Sequence, residues 1–170
     1  MRYLIIVRHA KAEKLAPGGT DVERRLSGRG GRQCDQLRAW AIDESELGRF
    51  GPTTALVSAS ARTRETFERA FADTKFVSAH VESSLIYNGQ RDVSSEDVIS
   101  ELAAIDEGST SLLVVGHNPT LDNLAVTLIG HRPRWLREGF PTGAVCVVAI
   151  PDDRTVELTH YDEAAHFVPH

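Results

Sequence analysis

Six short apolar runs alternate along this chain with stretches in which apolar side chains recur every three or four positions. The runs at 2–8, 54–58, 75–81, 111–116, 144–150 and 154–160 read as strands, and Tyr3-Leu4-Ile5-Ile6-Val7 is the most continuous of them. Residues 28–47 place Leu37, Trp40, Ala41 and Leu47 at helical spacing behind Ser27, a good N-cap. Residues 61–72 gather Thr66, Phe67, Ala70 and Phe71 on one face, and 94–106 repeat Val98, Leu102 and Ile105 after Ser94 or Ser95. In 119–129 Leu121, Leu124, Ala125 and Leu128 fall together, with Pro119 suited to the first turn. Strand and helix in alternation predict an α/β fold of three layers, α/β/α, around a mostly parallel sheet. Pro151-Asp152-Asp153-Arg154 is turn-rich and predicts that the last two strands form an antiparallel hairpin.

Composition narrows this picture little. The 170 residues are 41% hydrophobic and 25% charged, enough for one globular domain with a substantial core. A formal charge of −5 leaves no basic footprint, so no nucleic-acid partner is expected. An anionic substrate must instead be drawn by a local cationic pocket. Cys34 and Cys146 read as buried free thiols of a reducing compartment. The N-terminal apolar run is too short for a secretory signal, and no stretch approaches the about 18 apolar residues of a membrane span. The expected location is the cytoplasm. Repeats, linkers and low-complexity tracts are missing.

What changes the picture is where three strand-like runs stop. The first ends on Arg8-His9, Ala55-Leu56-Val57-Ser58 is followed by Arg62, and Leu112-Leu113-Val114-Val115-Gly116 closes on His117. Ligands of α/β sheets bind at the carboxyl ends of strands. A neutral imidazole can accept a phosphoryl group, and arginine forks match the non-bridging oxygens. Two arginines and two histidines at three strand ends therefore point to phosphoryl transfer through a histidine. They supply the positive charge themselves, so neither a metal nor another cofactor is expected. Gly28-Arg29-Gly30-Gly31-Arg32 looks superficially like an RNA-binding tract but reads better as a helix start. His131-Arg132-Pro133-Arg134-Trp135-Leu136-Arg137 reads as a solvated loop, or else as a rim recognising a phosphorylated partner; His160, His166 and His170 read as surface residues.

Val7-Arg8-His9-Ala10 resembles the Arg-His-Gly signature of the histidine phosphatase superfamily, the phosphoglycerate mutase-like fold. Ser58-Ala59-Ser60-Ala61-Arg62-Thr63-Arg64-Glu65-Thr66 resembles its Ser-Pro-x-x-Arg-Ala-x-Gln-Thr segment, and Val115-Gly116-His117-Asn118-Pro119 its second-histidine motif. Asp21-Val22-Glu23-Arg24-Arg25-Leu26-Ser27-Gly28-Arg29-Gly30 resembles a stretch of the small SixA-like branch, whose compactness the short chain shares. The resemblance implies a mixed sheet with one antiparallel strand. It makes His9 the phosphorylated nucleophile, with Arg8, Arg62 and His117 completing the phosphate pocket. Arg24 either approaches the mouth of that pocket or is a loop arginine paired with Asp21 or Glu23.

Departures matter too. Ala10, Ala59 and Glu65 replace the usual Gly, Pro and Gln, and Asn118 stands where the acid phosphatase branch carries an aspartate proton donor. Mutase-like members place a glutamate general acid in the loop after the third strand. Here that loop is Val81–Gly89, Ser84 falls nearest the position, and Glu82 and Asp92 are the carboxylates that could serve. A weak acid position favours a phosphohistidine substrate, whose imidazole departs more readily than an alkoxide. The implied partner is thus a phosphorylated protein. A phosphomonoesterase acting on a small metabolite or nucleotide, and a non-catalytic phospho-ligand sensor, are the alternatives.

Overall fold

The computed structural model describes residues 1–89 and 91–170. Six strands form one sheet in the order β3-β2-β4-β1-β5-β6: β1 (Arg2–Arg8), β2 (Thr53–Ser58), β3 (Val77–Ser83), β4 (Ser111–Gly116), β5 (Val145–Ile150) and β6 (Asp162–Phe167). β1 runs parallel to β4, and β2 runs parallel to both β4 and β3. β5 is antiparallel to β1 and to β6, so it alone opposes the other five. The architecture is the expected α/β/α sandwich with one reversed strand.

Alternation within the strands assigns the layers. On β1 the side chains of Leu4 and Ile6 enter one core with α3 (Ser95–Ile105) and α4 (Thr120–Ile129). Ile5 and Val7 enter the other, with α1 (Gly28–Ile42) and α2 (Ala61–Ala70). All four are fully buried, which explains why β1 reads as an unbroken apolar run rather than an alternating one. Burial of side chains this size is worth about 1.5–3 kcal/mol each. Every α-helix but one starts on a side-chain cap: Ser27 accepts from the Gly30 amide, while Ser60 and Ser94 form capping boxes with Thr63 and Asp97.

Three boundaries differ from the sequence expectation. The first helix stops at Ile42 rather than 47, because the Asp43 carboxylate accepts from the amide and hydroxyl of Ser45 and turns the chain. Leu47 still reaches the core, from a short 3₁₀ turn at Leu47–Phe50. The third strand runs two residues later than expected, so Glu82 lies in β3 and not in the loop beyond it. The last strand is Asp162–Phe167, not 154–160, and no tight hairpin joins it to β5. Two alternating segments compete here. The second pairs Phe167 with Val145 and stacks its ring near Trp40 of α1, at 5.2 Å between centroids. The first leaves the sheet, buries Val156 and Tyr161, and closes the end of α4 through the Tyr161 amide on the Leu128 carbonyl at 2.6 Å.

Candidate active site

Strand order explains how residues far apart in sequence meet. β2, β4 and β1 are adjacent and parallel, so their carboxyl ends lie side by side with His117 between the Arg8-His9 pair and the segment leading to Arg62. The loop after β1 is pinned at each residue. The His9 amide donates to the Gly116 carbonyl (3.0 Å), the Ala10 amide to Thr66 Oγ1 (3.0 Å) and the Lys11 amide to Gln33 Oε1 (2.8 Å). Ser27 donates its amide and hydroxyl to the Lys11 carbonyl, drawing the first turn of α1 against the loop. Gly30 makes that approach possible, since a Cβ there would lie 2.1 Å from the Lys11 carbonyl oxygen.

These constraints bring Arg8, His9, Arg24, Arg62 and His117 around one cavity of about 180 Å³, completed by Lys11, Ala12, Asn118 and Thr142. The His9 and His117 rings face each other at 5.3 Å between centroids. His9 Nδ1 sits 2.7 Å from the Ala10 carbonyl oxygen, which can only accept, so Nδ1 carries the proton and Nε2 keeps its lone pair. Burial, with Arg62, Arg8 and Arg24 adding to it against that hydrogen bond, pushes the His9 pKa down to about 3. The His117 value falls to about 2, chiefly by burial and then by His9 and Arg62. Both imidazoles are therefore neutral near pH 7. His117 Nε2 pairs with the Ser58 hydroxyl at 2.8 Å.

Polar satisfaction marks the same spot. Among the described residues six buried side-chain nitrogen or oxygen atoms lack a hydrogen-bond partner, and four belong to residues of this cavity: Arg8 Nε, Arg62 Nε, His117 Nδ1 and Asn118 Oδ1. A buried donor left unpaired costs about 1–3 kcal/mol, and an oxyanion would relieve two guanidinium donors at once. A larger cavity of about 740 Å³ lies at the amino ends of β2 and β3, among Arg38, Ile42, Arg49 and Lys75. It contains no histidine or cysteine.

The other sequence candidates fall as follows. Arg24 lines the cavity and is also paired with Asp21 (Nε to Oδ1, 2.9 Å), so the two expectations for it coexist. Glu82 does not line the cavity. Its carboxylate is held by the Arg64 fork at 2.7 and 2.5 Å, and that hydrogen bonding keeps it below the usual carboxylate range. Asp92 is exposed, as is Ser84. In the segment 131–137, Arg132 is tied to Asp122 by both guanidinium nitrogens, Trp135 stacks on His166 and Leu136 is buried, so only part of it is solvated rim.

Two residues at the site escape a search confined to strand ends. Asp21 accepts from Arg62, Arg24 and Tyr87, and Tyr87 places its ring 5.5 Å from that of His117. Asp21 stands in the sequence as the first residue of the SixA-like stretch and as a possible partner of Arg24, with no site role of its own, and Tyr87 only as part of the loop searched for an acid.

No protein-family model matches the chain, and no curated protein matches it. Solved structures do. The candidate phosphohistidine phosphatase SixA of Agrobacterium tumefaciens is 28% identical, with a TM-score of 0.76 over 99% of this chain and 98% of that one. The corresponding SixA protein of Nakamurella multipartitia is 22% identical, with a TM-score of 0.78 over 99% and 96%. A protein histidine phosphatase SixA in complex with tungstate is 22% identical, with a TM-score of 0.71 over 96% and 95%. In fold, full-length coverage and the ordered strand-end residues the chain is similar to the SixA-like members of the histidine phosphatase superfamily.

Proposed function

We propose that this chain is a phosphatase working through a phosphohistidine on His9, and that its substrate is phosphohistidine on a protein. The observation that carries the reading is the neutral His9, its Nε2 lone pair free, in a cavity walled by Arg8, Arg24 and Arg62. In the first half-reaction Nε2 attacks phosphorus, and the bond to the leaving nitrogen breaks with its electron pair. That nitrogen takes a proton from solvent. In the second half-reaction water attacks the same phosphorus, the bond to Nε2 breaks, phosphate leaves, and His9 returns to its neutral form. The guanidinium groups hold the equatorial oxygens through both steps, the charge that a metal would otherwise supply.

Two observations favour a protein substrate. Pockets that enclose a drug-sized ligand measure about 300–1,000 Å³, and a cavity of about 180 Å³ admits a phosphoryl group and little more. The rest of the substrate must then lie over the mouth. Asp21 is held ionised by Tyr87, Arg24 and Arg62, and Glu82 by Arg64, so neither carries a proton for a poor alkoxide leaving group. One of the structural neighbours is a protein histidine phosphatase complexed with tungstate, a tetrahedral oxyanion like phosphate.

The test is a rate comparison with EDTA present throughout. Phosphohistidine in a peptide should turn over faster than phosphoserine peptide or sugar phosphates, and quenched protein should carry acid-labile phosphate on His9. Faster phosphomonoester hydrolysis would transfer the reading to a phosphomonoesterase. Binding of phosphate without turnover of any substrate would make the chain a sensor.

A further inference from the structure

Arg62 is the most enclosed cation of the cavity, with 6% of its side chain exposed, yet its guanidinium is not free to turn. Nη1 donates to the Asp21 carbonyl oxygen at 2.8 Å and Nη2 to Asp21 Oδ2 at 3.0 Å. Nε has no partner. A guanidinium offers five N–H donors in a rigid plane. Asp21 takes the end formed by the two terminal nitrogens, which leaves the Nε–H and the second Nη2 hydrogen along one edge. That edge is spaced for two oxygens of a phosphoryl group.

Asp21 is itself fixed. Arg24 Nε donates to Oδ1 at 2.9 Å, and the Tyr87 hydroxyl donates to Oδ2 at 2.7 Å. Its backbone belongs to a 3₁₀ turn, Asp21–Glu23. The segment after that turn is docked on α2, the helix that carries Arg62, where Glu65 accepts from the Leu26 amide at 2.8 Å and from Arg25 Nε at 2.5 Å. The carboxylate thus approaches from the half-exposed side of the pocket and the guanidinium from within. It also sits between two cations that would otherwise repel each other at the mouth.

We infer that Asp21 is a positioning residue: it grips the far end of the Arg62 guanidinium and so presents the Nε edge to the phosphoryl group. The inference rests on the phosphatase reading above and names a determinant of that site. Asp21 does not compete with substrate, because it occupies the other end of the fork. Burial disfavours its charge, but the bonds from Tyr87, Arg24 and Arg62 outweigh this and hold the carboxyl well below its ordinary range, so the brace persists through the working pH range.

The experiment is a double-mutant cycle on the full chain, read by aryl phosphate turnover and by inorganic phosphate binding in calorimetry. Asp21→Ala should lower kcat/KM about 10²-fold, the scale of a misplaced catalytic group. Asp21→Asn, whose amide oxygen can still accept from Arg62, should lose less. Asp21→Ala in an Arg62→Ala background should add no further loss, since coupled residues are not additive. A general folding defect would lower both backgrounds alike, and circular dichroism checks for it independently. The assignment is overturned if Asp21→Ala stays within threefold of the parent, if it tightens phosphate binding as removal of a competitor would, or if its cost is the same with and without Arg62. A parent protein that neither binds phosphate nor turns over any substrate would sink the phosphatase reading itself; an active parent matched by Asp21→Ala would remove only Asp21.

Discussion

The cavity has two walls built by different means. One is the row of strand ends after β1, β2 and β4, where Arg8, His9 and His117 are set by ladder pairing such as Val7 with Val115 and Arg8 with Gly116. The other is the side of Arg24 and Arg62, backed from outside the cavity lining by the turn around Asp21 and the loop around Tyr87, which are joined by side-chain hydrogen bonds and no sheet pairing. A strand end holds a side chain with the stability of the whole core. A turn tied by side chains holds only while each of those bonds holds. On the proposed mechanism the reacting group, His9, and the second histidine stand on the first wall, and the groups proposed to aim Arg62 stand on the second.

The comparison makes the first wall indispensable. His9→Ala should remove turnover while leaving the fold intact, because His9 contributes only one polar side chain to a core that closes without it. Phosphate trapped on a serine or cysteine in the parent would contradict this assignment. Arg62→Ala comes next, since loss of one oxyanion contact typically costs about 10²–10³ in rate. An effect under threefold would take Arg62 out of the site and break the comparison at its best-defined point.

Legibility in the sequence followed the same division. β1, β2 and β4 announced themselves because they are buried on both faces, and the polar residue that ends each run was conspicuous against it. Their parallel run follows from alternating strands and helices, whereas the side-by-side order β2-β4-β1 is set only in the completed fold. Asp21 and Tyr87 were not readable as site residues, since turns have no periodicity and a contact across 66 positions depends on the completed fold. Glu82 shows the reverse failure. Position made it a candidate acid, but β3 continues through it and delivers it to Arg64 on α2. The last strand was misplaced because two alternating segments satisfy the same pattern, and tertiary contacts separate them: Phe167 packs on Trp40, and Trp135 stacks on His166 and donates to Glu163.

The second wall should break more gently. Tyr87→Phe keeps the ring beside His117 and removes only the hydroxyl bond to Asp21. A hydrogen bond to a charged group contributes about 1.5–3 kcal/mol, and Arg24 and Arg62 still hold the carboxylate, so the loss in kcat/KM should be about tenfold or less. A loss as large as that of Arg62→Ala would mean that the phenol touches the reacting group directly.

Acid should expose the first wall through stability. His9 and His117 are neutral and buried in the fold but take up a proton below about pH 6.5 once unfolded. The unfolded chain therefore binds more protons between pH 6.5 and about 3, and stability falls as pH falls through that window. Thermal melts of the parent and His9→Gln should diverge there, the variant losing less stability on acidification. Parallel curves would show that His9 is not held neutral by its surroundings.

The smallest effect is expected at Glu82, outside both walls. Its partner Arg64 is about half exposed and so is the carboxylate, and ion pairs of that kind contribute about 0.2–1 kcal/mol. The pair bridges α2 and β3 on the side of the sheet edge, so its removal leaves the cavity lining untouched. Glu82→Gln should accordingly shift the melting temperature slightly and leave phosphohistidine turnover within about threefold of the parent. The same variant discriminates between substrates. A glutamate that delivers a proton to a leaving group would cost far more on a phosphomonoester than on phosphohistidine, because the alkoxide needs the proton and the imidazole needs it less. Equal, small changes on both would leave the pocket without a carboxyl acid at Glu82, and a large loss on the ester alone would restore that residue to the mechanism.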